Sequence, residues 1–457
     1  MEKIDIVNPV AVAPSPPERV WRTKEQLAAL GIWHAISTNS PATSCRDAAH
    51  RRYRLGNVGI PLNDELKSLH MIGRFPDGQT RHVLIHARAN CRFNLETAQL
   101  AVGAVAPMER LDKETLAESY GARYGTVNPF SEAHQFIQVF DRGLLDRYPA
   151  PHTMMTNAGD LEWAVEFYPA EVIEILRNVS PQVIVADIVH HRRERRNNLP
   201  VFGILTGNGP ESGQSLWRQL NGHIHQELMK QKLMYGDLSY PRVIVDSIPE
   251  MGLSMELKER LQPVREVVCG GVENLLHAGA THIAIACNTT PYYEKDLQEI
   301  CAKHGGRFIS VVEAVLQYLE KHNLTNLTLM AIPRVANMGE FSAFAPLKDL
   351  GVVPMAQRAE CYLQELGYLV KRMEPENKGV KELNTLTHAI RSGVDTDHVL
   401  IALTEISVLL ERFDSKIRRN RAGKNIIDSL EIYAKYLADI YLDALAQEDD
   451  PTMDSWE

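Results

Sequence analysis

Cys287 follows the apolar run His282-Ile283-Ala284-Ile285-Ala286 and precedes Asn288-Thr289-Thr290. A short β-prone run that empties into a thiol flanked by amide and hydroxyl side chains suits a nucleophile or a carbon-acid base at a sheet edge. The competing reading is a buried structural cysteine, because free cysteine packs as a small hydrophobe. The neighbours weigh toward chemistry, since Asn and Thr serve hydrogen bonding there better than core packing.

The elements that must position this thiol are legible as alternating strands and helices. Val201 to Leu205, Val243 to Val245 and Ile283 to Ala286 read as strands, as do Arg307 to Val312, Leu327 to Ile332 and Val399 to Leu403. Ser212 to Gln231, Leu257 to Ala278 and Val311 to Lys321 read as helices between them. Short apolar runs alternating with long helices imply parallel sheets covered on both faces, with ligands at the carboxyl ends of strands. Cys287 sits at such an end. The front of the chain differs: Arg81 to His86, Phe136 to Phe140 and Trp163 to Phe167 read as strands, and Lys113 to Tyr120 and Ala170 to Arg177 as helices. That pattern predicts an α+β domain with a mixed sheet and helices to one side.

The chain has 457 residues, a formal net charge of −9 and a hydrophobic fraction of 44%. That is the composition of a soluble protein of two or three domains, and the acidic balance argues against a general nucleic-acid binder. No run approaches the roughly 20 apolar residues of a membrane span. The start, Met1-Glu2-Lys3-Ile4-Asp5, lacks the basic and apolar regions of a signal peptide. Six cysteines without a CxxC pair read as free thiols in a reducing cytoplasm, with no disulfide frame and no zinc cluster. The expected organisation is a flexible leader over 1–20, a front domain over 21–180, a basic linker over 181–200 containing HHRRERRNNLP, a rear domain over 201–447 and an acidic tail over 448–457.

Gly203 to Ser212 forms a glycine-rich strand–loop–helix junction whose backbone N–H groups can face an anion, although its spacing is neither a P-loop nor GxGxxG. Together with Cys287-Asn288-Thr289 and Thr404-Glu405-Ile406, this junction resembles the motifs of the aspartate/glutamate racemase superfamily over roughly residues 201 to 440. Phe413-Asp414 looks like that family's late aspartate. The resemblance implies two α/β lobes with parallel sheets related by a pseudo-two-fold axis, a ligand cleft between them, and no cofactor. It assigns Cys287 as the thiol that removes or returns a proton next to a carboxylate, and Asn208, Gly209, Asn288, Thr289, Thr404 and Glu405 as substrate-binding residues. A free thiol ionises near pH 8.5, so such a site must supply donors and dipoles that favour the thiolate. The family uses a second thiol on the opposite face of the α-carbon. Here that position is Leu403, preceded by Ala402 where the family has glycine. Leucine neither gives nor takes a proton, so racemisation by two thiols is in doubt.

Glu65 to His70, the loop Gly125-Thr126-Val127-Asn128-Pro129-Phe130 and Thr156-Asn157-Ala158-Gly159 resemble the YbaK/prolyl-tRNA-synthetase editing-domain superfamily over roughly residues 33 to 178. That family removes wrongly attached amino acids from tRNA. The resemblance assigns Lys67 as the family's lysine, Gly125 and Pro129 as its GxxxP loop, and Gly159 as its late glycine near the pocket. A lysine there can polarise an ester, and backbone N–H groups near Gly125 can serve an oxyanion. A longer segment at about Gln99 to Lys113 departs from the pattern.

His223 and His225 fall in a helical stretch, where residues two apart do not face each other, so no metal is expected. Cys269 and Cys301 read as core or surface thiols, and Lys416 to Lys424 as a solvated basic run. The expected partners are a small amino acid or related carboxylic acid, with aminoacyl-tRNA as a further candidate, no membrane, and a homodimer left open. Two functions stand: an amino-acid-processing enzyme of the racemase type or a one-base variant such as a decarboxylase, fused to an aminoacyl-tRNA-deacylase-like domain; or a degraded amino-acid-binding or scaffolding protein. Leu403 favours the second, and the intact Cys287-Asn288-Thr289 favours the first.

Overall fold

The computed structural model describes residues 15–42, 44–54, 57–123, 125–130, 136–145, 153–190, 199–207, 209–231, 233–234, 236–372, 379–413 and 422–448. Two compact units make up the chain. One comprises residues 1–198, 234–239 and 445–457, and the other residues 199–233 and 240–444. Residues 191–198 of the expected linker, Asn208, Asp414, most of the basic run at 416–424 and the tail beyond Glu448 lie outside the described residues.

The front unit holds a five-stranded mixed sheet in the order Val183–Ala186, Ile137–Asp141, Thr80–Arg88, Leu66–Arg74, Glu109–Arg110. The first two pairings are parallel and the last two antiparallel. A separate antiparallel sheet joins His34–Thr38, Trp163–Phe167 and Met154–Asn157. Three boundaries differ from the sequence reading. Helix Glu18–Ala29 begins inside the stretch expected as leader, because Val20, Thr23 and Leu27 recur on one face and are buried. Val183–Ala186 pairs with Ile137–Asp141, so the first part of the expected linker is a strand of the front sheet. Lys67 lies within the nine-residue strand Leu66–Arg74, which is absent from the strands read in the sequence.

The rear unit holds two four-stranded parallel sheets. The first runs Val243–Ser247, Phe202–Thr206, His282–Ile285, Arg307–Phe308, and the second Val353–Pro354, Leu327–Met330, His398–Ile401, Asn425–Asp428. In each, the chain's second strand lies outermost, then its first, third and fourth. All residues of Phe202–Thr206 and Leu327–Met330 are buried, as strands covered on both faces require. Sequence reading merged two elements here. Arg307 to Val312 is a strand only at Arg307–Phe308, because Ser310 caps the helix Val311–Lys321 by accepting the Glu313 N–H at 3.3 Å. The stretch expected as one helix from Leu257 breaks at Arg260: a 3₁₀ segment Pro249–Glu259 precedes the α-helix Leu261–His277.

No helix among the described residues is long and apolar enough to cross a membrane. All six cysteines are free.

Candidate functional site

In the rear unit the site is built where the third strand of each sheet ends. His282–Ile285 and His398–Ile401 each pair with the first strand of their own sheet, with Ile285 beside Leu205 and Ile401 beside Met330. Two residues beyond those strand ends stand Cys287 and Leu403, and both line one small pocket. Asn288, Thr289, Thr404, Glu405, Ile332 and Ala402 complete it. Its volume is about 10 Å³, room for about one water, so an amino acid enters only if the walls part.

Cys287 is 3% exposed. The Thr289 backbone N–H donates to its Sγ at 3.3 Å, and the Ser254 Oγ lies 3.9 Å from Sγ. Both partners can donate to a thiolate, which a base at this position needs. Asn288 accepts at Oδ1 from the Ser429 hydroxyl at 3.2 Å, which ties the first strand end to the helix following the second sheet's last strand. Facing them, Ile332, Ala402 and Leu403 offer only carbon, while Thr404 and Glu405 open the helix Thr404–Phe413. Glu405, expected to bind substrate, is 4% exposed and pairs with the Lys371 ammonium at 3.3 Å. The Thr404 hydroxyl donates to the same carboxylate at 3.4 Å. A buried carboxylate needs such a partner, because desolvation without one is costly.

Gly207 and Gly209 frame the loop after the first strand. Gly207 has φ +131°, and a Cβ there would stand 1.8 Å from the Ile248 carbonyl oxygen, so only glycine fits. A Cβ at Gly209 would stand 3.9 Å from Glu405 Oε1, which places this loop beside the pocket wall. The structure therefore gathers Cys287, Asn288, Thr289, Thr404, Glu405 and Gly209 at one place. Lys371, Ser254, Ser429 and Ile332 are additions that the sequence did not reveal. They come from other elements and carry no motif, and Ile332 was hidden in the run read as strand.

His223 and His225 both lie on the helix Pro210–Gln231, where the His225 ring bonds the Tyr240 hydroxyl at 3.0 Å. Among the described residues no three His, Cys, Asp or Glu side chains gather as a metal site would require.

The front unit separates what the sequence reading grouped. Side chains alternate across the strand Leu66–Arg74, so Lys67 takes the face opposite Ser68 and His70. Lys67 is 7% exposed; its ammonium donates to the carbonyls of Cys91 and, at 3.4 Å, Ala89, and lies 5.0 Å from the Phe93 ring centroid. On the other face, Ser68 Oγ is 2.8 Å from His86 Nδ1, and His86 Nε2 is 3.0 Å from Gln138 Oε1. The Gln138 amide then donates to the Pro129 carbonyl at 3.2 Å, so the Gly125–Pro129 loop sits on this second face. Lys67 and this loop therefore meet opposite faces of the strand Leu66–Arg74. Asn157 holds the loop too, donating to the Val127 carbonyl at 2.8 Å. Gly159 serves packing: with φ +108°, a Cβ there would stand 3.0 Å from Arg19 Cβ on the first helix. Burial lowers the His86 pKa to about 3, so the ring stays neutral and can bridge Ser68 and Gln138. Further along the same face His70 Nε2 lies 3.1 Å from His82 Nδ1, and burial followed by the charge of His82 lowers His70 to about 4.

No protein-family model matches the chain, and no curated protein matches it. Among solved structures it is similar to the aspartate racemase of Picrophilus torridus, at 20% identity over 53% of this chain and 99% of that one, TM-score 0.41. It is similar to an aspartate racemase homologue from Pyrococcus horikoshii OT3, at 18% identity over 53% of this chain and 100% of that one, TM-score 0.38. A candidate trans-editing enzyme for prolyl tRNA synthetase is matched at 20% identity over 39% of this chain and 100% of that one, TM-score 0.31.

Proposed function

We propose that the rear unit is a thiol enzyme that acts with one acid/base group, Cys287, at the carbon next to the carboxylate of a small amino acid or related acid. The observation that carries this reading is the pairing of Cys287 and Leu403 at equivalent strand ends around one pocket. The thiolate takes the α-proton, the C–H electron pair moves into the carboxylate as an enediolate, and the thiol returns a proton to the same face. The lobes would relate by a pseudo-two-fold axis, a view supported by their shared strand order. Asn288 and Thr289 would orient the carboxylate. Glu405, held by Lys371, would shape the wall opposite and keep a fixed charge there.

The test is a panel of amino acids and related acids in deuterated buffer, following loss of the α-proton signal by NMR. At least one should exchange with the wild-type protein and none with Cys287→Ala. A panel with no exchange would favour the second reading, a binding protein. That reading draws on the carbon-lined wall at Leu403.

For the front unit we propose recognition of an amino acid or aminoacyl ester by the Gly125–Pro129 loop, without chemistry at Lys67. Its support is the location of the Lys67 ammonium on backbone carbonyls across the sheet from the loop. Aminoacyl-tRNA hydrolysis that drops roughly a hundredfold in Lys67→Ala, the scale of one lost electrostatic group, would contradict it.

A further inference from the structure

Ser254 is fully buried on the 3₁₀ segment Pro249–Glu259, with Met251 and Leu257 of the same segment in an apolar cluster that also contains Val264, Val268 and Cys287. A hydroxyl in such surroundings is costly unless it is hydrogen-bonded, and alanine would pack there without that cost. Among the described residues, the hydrogen bond recorded for Ser254 Oγ is to the Cys287 sulfur at 3.9 Å. The thiol itself gains little, since S–H is a weak donor and sulfur a weak acceptor. A thiolate gains much more, because a hydrogen bond to a charged acceptor is roughly twice as strong as a neutral one. The Thr289 N–H donates to the same sulfur at 3.3 Å, and the two groups beside it come from different elements, a strand-end loop and the 3₁₀ segment.

We propose that Ser254 is a positioning residue for Cys287: its hydroxyl turns its proton onto the sulfur when the thiol ionises and so holds the reactive thiolate in the pocket. This rests on the reading of Cys287 as the reacting group, but it concerns the state of the sulfur and not the substrate. It can therefore fail or succeed whether or not the amino-acid panel shows exchange.

The experiment is alkylation of the intact chain by iodoacetamide without substrate, with the Cys287 peptide quantified by mass so that the other five cysteines do not interfere. For Ser254→Ala the rate at pH 7 should fall about fivefold relative to wild type. At pH 10, above the ordinary ionisation range of a free thiol near 8.5, the two rates should agree. A structural role alone would shift both pH values together by changing access, and that pattern overturns the proposal, as does an unchanged rate at pH 7. Should the alanine variant fold poorly, Ser254→Gly, which removes the hydroxyl without adding a second thiol, should show the same loss at pH 7 and the same recovery at pH 10. An unchanged rate at pH 7 in that variant equally overturns the proposal.

Discussion

Two strand ends in the rear unit occupy the same place in their sheets and carry different residues. After His282–Ile285 come Ala286-Cys287-Asn288-Thr289, and after His398–Ile401 come Ala402-Leu403-Thr404-Glu405. The first end presents a sulfur that accepts from the Thr289 N–H and lies 3.9 Å from the Ser254 hydroxyl, and an amide anchored by Ser429. The second presents an isobutyl group, and its polar residues are turned to structure: Thr404 and Lys371 both engage Glu405. Equal backbone positions thus carry unequal chemistry. A sheet end supplies a location, and only the side chains decide whether that location can move a proton. The front unit teaches the same lesson within one strand, where neighbouring Lys67 and Ser68 fall on opposite faces and so belong to different surroundings.

The comparison can be broken most severely at the sulfur. Cys287→Ala should reduce α-proton exchange by roughly a thousandfold, within the range for loss of a positioned acid/base group, as read by NMR in deuterated buffer. Next comes the opposite wall. Leu403→Cys should raise inversion of configuration about a hundredfold, read by chiral chromatography, since it places a proton donor at the equivalent strand end. Should inversion not rise, the second strand end does not address the α-carbon. Glu405→Gln should leave exchange measurable but lower stability by about 2 kcal/mol in urea unfolding, because the ion pair with Lys371 is lost; the partial exposure of that lysine keeps the loss below that of a fully buried pair. Ser429→Ala should cost the least, about 1 kcal/mol for one hydrogen bond to Asn288.

How much of this could be read from the sequence depended on whether a residue's role was local. The strand Trp163–Phe167 and the helix Lys113–Tyr120 carry their patterns in adjacent residues, and the structure has both with the expected limits. Cys287, Asn288 and Thr289 were legible because their types contrast with the apolar run before them. Leu66–Arg74 was obscured because buried polar residues, Lys67 and His70, break the alternation that marks a half-buried strand. Arg307 to Val312 misled for the opposite reason: its β-branched residues suit a strand, but the cap at Ser310 turns them into a helix. Lys371 and Ser254 were invisible, since each acquires its role by meeting Glu405 or Cys287 across the fold, and nothing beside them in the chain announces it.

The most direct measurement follows one enantiomer of an exchanging substrate in deuterated buffer, with deuterium incorporation and configuration recorded in the same samples. A single thiol on one face predicts deuterium incorporation with retention, and inversion at least about a hundredfold slower than exchange. Inversion keeping pace with exchange in the wild-type protein would contradict the account, because a second proton donor would then have to serve the face lined by Leu403.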